Sequence, residues 1–283
     1  MINLIKKLLS RIELQVRKPE LIDWRGKNIH PLEIVYHTNN SAAFFLMDIP
    51  ILKCRTQLWN TLEECKNPFV KTIVDVNNKK NSDYNSSSLK KNYESYIPKN
   101  AAEVLRLNEN EKLKKIPAYG YTLPWINQNV EEAIKTREKD ALKENRKEGN
   151  PIGLSAGHTD FGPVTAEKGK IEFNRLVKIF NNIKKQGYIE NPYLPDGAVK
   201  GYFLTGENDD WCFIIKSGKH RAYALSAMGY ITIPVVIDAG CGFVKRIYDL
   251  PFWPQVKNGF FSEKEAFILA NNILNAGHEM AKN

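Results

Sequence analysis

Apolar residues recur at helical spacing between positions 171 and 186, in the C-terminal half of the chain. Five of them fall on one face of a helix: Phe173, Leu176, Val177, Phe180 and Ile183. Gly187 follows the lysines that end this stretch, which is typical of a residue that terminates a helix. The pattern predicts an amphipathic helix whose apolar face packs on a protein core.

Two short apolar runs, GYFLT and WCFII, predict strands, and the polar segment GENDD between them predicts a turn. The sequence HRAYALSAM then predicts a helix that ends at Gly229, and the β-branched run YITIPVVI predicts a further strand. Ser262 and Glu265 match a capping box that opens a last helix, which closes at Gly277. This order of elements predicts an α+β fold with a small mixed sheet and helices in the C-terminal half.

The N-terminal half is harder to interpret and is predicted to be mixed or mostly helical. Residues 77–92 are polar and rich in Ser and Asn, so they predict a long surface loop. Residues 130–150 carry many acids and bases and predict a solvated helix that ends at Gly149. The predicted division of the chain is an N-terminal basic region of unknown fold at 1–150, an α+β domain at 151–240 and a C-terminal helical extension at 241–283.

Positive charge is concentrated in the first half of the chain. The net charge is +9 in total, and residues 1–150 hold 26 basic against 19 acidic side chains. Such an excess favours anionic partners, namely nucleic acid, a nucleotide or an acidic lipid. The alternative is a surface that is simply rich in lysine.

Cysteine and apolar patterns favour a cytoplasmic protein. The four cysteines, Cys54, Cys65, Cys212 and Cys241, form no C-x-x-C pair, so we expect free thiols and no metal site. No apolar run is long enough to span a membrane, and the N-terminus does not match a signal peptide. Residues 1–18 are amphipathic and could lie on an anionic membrane surface, although packing on the protein itself is the alternative that we favour.

A basic turn stands where the strand WCFII gives way to a helix. Gly218 allows the backbone to approach a ligand closely, and Ser217 can bond an oxygen or cap the helix. Lys219, His220 and Arg221 add positively charged donors at a helix N-terminus, where unpaired N–H groups already favour an anion. The turn is therefore predicted to bind phosphate. The alternative is a tight strand-to-helix turn with solvent-exposed basic residues.

The segment SGKHRAYALSAMGYITIPVVI resembles the central motif of the ParB/sulfiredoxin superfamily, and the resemblance spans roughly residues 160–238. The positions that match are Gly218, His220, Arg221, Ala224, Gly229, Ile233, Pro234 and Val235, with Ile183 and Gly187 upstream. The resemblance implies a ParB/sulfiredoxin-like fold that binds a nucleoside triphosphate through Ser217, Gly218, Lys219, His220 and Arg221. The chain also resembles uncharacterised bacterial ParB-like proteins associated with surface-glycan gene clusters.

Two departures from the family narrow this expectation. Sulfiredoxins carry a catalytic Cys before the His-Arg pair, where this chain has Lys219, so sulfinic acid reduction is not expected. Chromosome-partitioning members continue into a DNA-reading helical module, but too few residues follow Gly240 for one. DNA is therefore a partner that we do not favour.

A third branch of the superfamily contains small-molecule kinases, which use a nucleotide, Mg²⁺ and an acidic general base. By resemblance, Glu167 is the expected base because it follows the short apparent strand GPVTA, with Asp160 as the second candidate. His220 completes the expected catalytic set. Arg175 could either pair with phosphate or lie on the wet face of its helix.

Three functions remain open from the sequence. The first is an ATP-dependent kinase or other NTP-dependent phosphotransferase or NTPase that acts on a small hydroxylated substrate, with ATP or CTP and Mg²⁺ as cofactors. The second is a nucleotide-gated, ParB-like DNA-associated or regulatory protein without turnover of a small molecule. The third is an envelope scaffold that uses residues 1–18. The sequence does not indicate an oligomeric state.

Overall fold

A mixed β-sheet runs through the centre of the computed structural model, which describes residues 20–37, 43–58, 60–80, 83–194, 196–207, 210–238 and 242–275. The strands are β1 (Glu20–Asp23), β2 (Ala43–Pro50), β3 (Cys54–Thr56), β4 (Val199–Thr205), β5 (Trp211–Ser217), β6 (Thr232–Asp238) and β7 (Val244–Arg246). The helices are α1 (Pro68–Asn77), α2 (Ser88–Ser95), α3 (Ala101–Leu105), α4 (Glu111–Lys114), α5 (Val130–Arg146), α6 (Ala166–Gln186), α7 (Lys219–Ala227), α8 (Pro254–Lys257) and α9 (Glu263–Asn275). The α+β class predicted from the sequence is confirmed.

The sheet joins strands from both halves of the chain. Its order is β1-β2-β6-β4-β5-β3, and β7 pairs with the second half of β4. Strand β2 lies antiparallel to β6, and β3 lies parallel to β5. Strands from the first 56 residues therefore flank both sides of the unit predicted from the C-terminal half, so the predicted boundary near residue 150 falls within one sheet-centred fold.

The sheet carries a hydrophobic cluster on each face. Along β5, Phe213 and Ile215 contact the cluster that includes α1, α6 and α7, whereas Cys212 and Ile214 contact the one that includes α3 and α9. This alternation follows from the period of two along a strand. Residues 242–275 thus contribute to the layer on one face of the sheet, because Ala266, Leu269 and Ile273 of α9 are fully buried.

Helix α6 has the apolar face that its sequence predicts. Phe173, Leu176, Phe180 and Ile183 are buried, and Val177 packs beside them. Gly187 terminates the helix with a positive φ of 77°, and its N–H donates to the carbonyl of Ile183. The prediction of the helix and of its end is confirmed, and α6 carries Lys168, Glu172 and Arg175 of the site described below.

Two local predictions are wrong. The polar segment 77–92 is not wholly a loop, because α2 begins at Ser88 with Ser87 as its N-cap and with Leu89 buried. The segment 162–166 forms no strand and instead leads into α6, whose N-cap is Thr165. Helix α2 is not evident from the sequence because it contains few apolar residues. Its buried residues are Leu89 and Tyr93, and two suffice in a helix this short.

No helix among the described residues has the length and apolarity needed to cross a bilayer. The amphipathic stretch 1–18 lies outside the described residues, so its predicted membrane contact stays a prediction. Cys54 and Cys212 are buried free thiols, and Cys65 is an exposed free thiol, as predicted. Cys241 lies outside the described residues.

Candidate functional site

The basic turn opens into a cavity of about 400 Å³ between the N-terminus of α7, helices α5 and α6, and the segment 154–160. All five predicted phosphate-binding residues line it: Ser217, Gly218, Lys219, His220 and Arg221. The other cationic side chains of the lining are Arg137, Lys147, Lys168, Arg175, Lys178 and Lys216. Carboxylates of the lining are fewer, namely Asp140, Glu144, Glu148, Asp160 and Asp196. The lining therefore has a positive balance that favours an anionic ligand.

Gly218 gives the turn its shape. Its φ is 80°, in the left-handed region, and a Cβ at this position would lie 2.6 Å from the carbonyl oxygen of Ala198. Gly218 is the N-cap of α7 without any side-chain hydrogen bond, so Ser217 lines the cavity but does not cap the helix. The N–H of Arg221 already donates to the carbonyl of Gly218 at 3.0 Å. The amides of Lys219 and His220 precede any intrahelical acceptor, which leaves these two for a ligand.

Lys219 is bound to Asp160 across the cavity. Its ammonium group donates to both carboxylate oxygens of Asp160, at 2.9 and 2.8 Å. Burial raises the pKa of the Asp160 carboxyl, but the charge of Lys219, with help from His158, outweighs this and holds that pKa below its ordinary value. Burial lowers the pKa of Lys219, but Asp160 outweighs it and the net direction is upward. The pair is therefore ionised at neutral pH.

His158 forms the wall next to this pair. Its ring stacks on Phe161 with centroids 4.3 Å apart, and its Nδ1 accepts from the backbone N–H of Asp160 at 3.2 Å. Burial lowers the pKa of His158 to about 4, even though the carboxylate of Asp160 acts in the opposite direction. His158 is therefore a neutral structural residue at physiological pH, and it fixes the backbone that carries Asp160.

Glu172, on the cavity side of α6, is fully buried and contacts three basic side chains. Its Oε1 accepts from Lys168 and, at 2.8 Å, from Arg175. Its Oε2 lies 3.3 Å from Nε2 of His220. Burial raises the pKa of Glu172, but His220, Lys168 and Arg175 outweigh it and hold the pKa far below its ordinary value. A permanent negative charge therefore lies beneath the basic turn.

Helix α5 is joined to this network at its C-terminal end. The buried Asn145 accepts from Lys168 at 2.9 Å and from Arg175 at 3.2 Å. Arg175 also donates to the backbone carbonyl of Glu144. Of the two alternatives left open for Arg175, the wet face of the helix is wrong, because the guanidinium is bound in this network and also lines the cavity.

Arg221 differs from these basic residues. Among the described residues, no hydrogen bond or ion pair holds its guanidinium, although it lines the cavity. In contrast, Lys168 and Arg175 form ion pairs with Glu172, and Lys219 forms one with Asp160. Arg221 is thus the cation of the turn that is best placed to bind an incoming anion.

Glu167, the first candidate for a general base, lies outside the cavity. It is exposed in the first turn of α6, and it is not part of the cavity lining. Asp160 and His220 do line the cavity. Glu172 is not among the predicted site residues, although one signal was present: Lys168 and Arg175, at positions i−4 and i+3, share its helical face.

A bound Mg²⁺ ion was expected with the nucleotide. The part of the chain that the structure describes contains no group of three or more metal-ligating His, Cys, Asp or Glu side chains. Asp160, the carboxylate nearest the turn, is already occupied by Lys219. The described residues therefore do not form a protein Mg²⁺ site, and an ion that accompanies a nucleotide here would be held mainly by phosphate oxygens and water.

Comparison of the chain with protein-family models, with curated proteins and with solved structures gives no match. The resemblance of the turn to the ParB/sulfiredoxin motif therefore stays an expectation.

Proposed function

We propose that the cavity binds the phosphates of a nucleoside triphosphate and that the protein transfers the terminal phosphoryl group to a small hydroxylated molecule. One observation carries this proposal: the glycine turn at Gly218 presents helix amides and the uncommitted guanidinium of Arg221 to the same cavity. Phosphate oxygens need several fixed donors at once, and a helix N-terminus with an arginine provides them. The acceptor could be a glycan precursor, and hydrolysis would be the same reaction with water as the acceptor.

The volume and position of the cavity support a small-molecule ligand. About 400 Å³ lies within the range of clefts that hold cofactors and small substrates. Arg137 and Tyr121 also line the cavity, and the guanidinium carbon of Arg137 lies 4.1 Å from the ring centroid of Tyr121. A cavity of this size can hold part of the acceptor or of the nucleoside beside the phosphates.

Within this function, Asp160 is better suited to holding Lys219 than to removing a proton. Both of its oxygens accept from the ammonium group, and its pKa is lower than the ordinary value. A general base works best when its pKa lies near the working pH. Lys219, held at a fixed point and partly exposed, would then bind phosphate oxygens beside Arg221.

Calorimetric titration of the full chain with ATP, CTP and GTP, each with and without Mg²⁺, tests the proposal. Arg221→Ala should weaken binding roughly 10- to 100-fold, because a charge-assisted hydrogen bond contributes about 1.5–3 kcal/mol. Arg146→Ala is the matched control, since Arg146 is exposed on α5 and is not part of the cavity lining. Equal affinities for the wild type and the Arg221 variant would contradict the proposal.

The same titration distinguishes the phosphotransferase from the alternative function, a nucleotide-gated regulatory protein. Tight binding of CTP without release of phosphate would favour a nucleotide-gated regulatory protein, a reading that the positive charge of residues 1–150 also favours. Tight binding of ATP followed by turnover with a hydroxylated acceptor would favour the kinase. Absence of binding by all three nucleotides would leave the envelope scaffold as the remaining hypothesis.

A further inference from the structure

Glu172 and His220 leave a pair of buried polar atoms unsatisfied beneath the turn. Oε2 of Glu172 and Nε2 of His220 are both buried, and neither has a hydrogen-bonding partner among the described residues. The two atoms lie 3.3 Å apart, within ion-pair distance but without the alignment of a hydrogen bond. An unsatisfied buried polar group costs about 1–3 kcal/mol, so such a pair is unusual unless it has a use.

The surroundings of the pair determine which atoms face each other. Oε1 of Glu172 is committed to Lys168 and Arg175, so Oε2 is the oxygen that remains for His220. The rings of Phe69 and Tyr223 meet the His220 ring edge-on, each with centroids 6.2 Å away. The hydroxyl of Tyr223 is the further titratable group on this side, and burial raises its pKa. The imidazole is therefore confined with Nε2 towards the carboxylate.

We propose that Glu172 positions His220 as the tautomer protonated at Nε2, so that Nδ1 is the proton acceptor for the substrate hydroxyl. The role of His220 in turnover rests on the proposed function, whereas the choice of tautomer rests on the contacts alone. In ligand-free sites such hydrogen bonds are often long, and they tighten when a substrate binds. A buried carboxylate that orients an imidazole and stabilises its protonated form is a recurrent arrangement in catalysis.

The step that follows is balanced within these groups. The hydroxyl oxygen attacks the terminal phosphorus, and its proton moves to Nδ1 of His220. The bond from phosphorus to the bridging oxygen breaks, and the nucleoside diphosphate leaves with that electron pair. The resulting imidazolium carries its second proton on Nε2, next to the negative charge of Glu172.

Replacement of Glu172 by Gln makes a sharp prediction. The amide oxygen must still face Lys168 and Arg175, because both are donors, so the NH₂ group would face Nε2 of His220. Nε2 would then have to accept, and the proton of the neutral ring would move to Nδ1. The Glu172→Gln variant should therefore move the ring proton of His220 from Nε2 to Nδ1 while it keeps a side chain at position 172.

Long-range ¹H–¹⁵N spectra of the full chain labelled at histidine measure the tautomer of His220 directly. They are recorded at a pH at which the ring is neutral. His220→Gln assigns the signal, and Glu109→Gln is the control, because Glu109 is exposed and is not part of the cavity lining. We expect Nε2–H in the wild type and Nδ1–H in Glu172→Gln. An Nδ1–H tautomer in the wild type would overturn the proposal, and this readout decides the question even if the variant does not fold.

Kinetics provide the second readout. Glu172→Gln should keep its affinity for the nucleotide within about threefold and should lose roughly 100-fold or more in kcat, in the range of general-base contributions. Unchanged kcat would overturn the catalytic role of His220. If the wild type binds no nucleotide, phosphoryl transfer is contradicted, and the tautomer spectrum alone decides whether Glu172 positions His220.

Discussion

The ammonium group of Lys219 lies 2.8 Å from a carboxylate oxygen of Asp160, a residue 59 positions earlier in the chain. This contact ties the first turn of α7 to the segment that precedes α6. The Asp160 side chain is 6% exposed, and that of Lys219 is 27% exposed, so the carboxylate is buried while the ammonium reaches the cavity. The contact therefore stabilises the fold and also holds the Lys219 ammonium where a ligand can reach it. Substitutions can test the two roles separately.

Lys219→Met should destabilise the fold by about 3 kcal/mol at neutral pH, because it leaves the buried Asp160 carboxylate without its charge partner. Adding Asp160→Asn to the Lys219→Met variant should recover much of this loss, because the double variant no longer has a buried charge at position 160. Urea unfolding of the wild type, both single variants and the double variant forms a double-mutant cycle. Additive losses would show that the two side chains do not interact.

His158 predicts a pH dependence of stability. Its pKa is about 4 in the folded state, against an ordinary value of 6.5, so the unfolded chain binds the proton more tightly. Stability from His158 is therefore complete above pH 6.5 and is lost as the pH falls towards 4. Linkage gives a loss of about 2 kcal/mol between pH 7.5 and pH 5.

His158→Asn isolates this contribution, because asparagine does not titrate but can still accept from the backbone N–H of Asp160. The difference in unfolding free energy between the wild type and this variant should shrink or reverse on going from pH 7.5 to pH 5. A difference that stays constant between the two pH values would mean that His158 is not a buried neutral group.

Glu167→Gln should leave turnover within about twofold of the wild type, since a group outside the cavity cannot reach a substrate proton at hydrogen-bonding distance. The side chain is exposed in the first turn of α6, away from the basic turn. Steady-state kinetics with the nucleotide and acceptor identified by titration check this. A loss of roughly 100-fold would instead restore Glu167 as the general base expected from the family resemblance.

Glu167 and Glu172 illustrate which features of the site can be predicted from the sequence and which cannot. Helix α6 and its apolar face are predictable because the apolar residues repeat at helical spacing, and the turn at Gly218 is predictable because its residue types suit one conformation. The role of Glu172 depends on which helix face meets the N-terminus of α7, and this follows from the packing of distant elements. Charge spacing along α6 indicates a cluster but not what lies opposite it.

The sheet illustrates the same limit at a larger scale. Strands β4, β5 and β6 are apparent from their β-branched and aromatic runs. Strand β2 pairs with β6 over a long separation in sequence, with Phe45 opposite Ile237, 192 positions later. Local patterns carry no information on such pairing, so the N-terminal half appeared to be a separate region.

Gly218 and Gly229 provide a matched test of the turn, because α7 lies between them. Their φ values are 80° and 82°, so alanine is strained to a similar extent at both positions. At Gly229 a Cβ would meet nothing within 4 Å, whereas at Gly218 it would meet the carbonyl oxygen of Ala198 at 2.6 Å and the Cα of Val199 at 2.8 Å. Gly229→Ala should therefore cost about 1–2 kcal/mol from backbone strain alone.

Gly218→Ala should cost more than Gly229→Ala in urea unfolding, because β4 has to move to admit the methyl group. It should also weaken nucleotide binding by at least tenfold, since the amides of the first turn of α7 would be displaced, whereas Gly229→Ala should leave the affinity unchanged. If the two variants lose stability equally and bind nucleotide equally, the close approach at Gly218 has no part in binding, and the phosphates must be held elsewhere in the cavity.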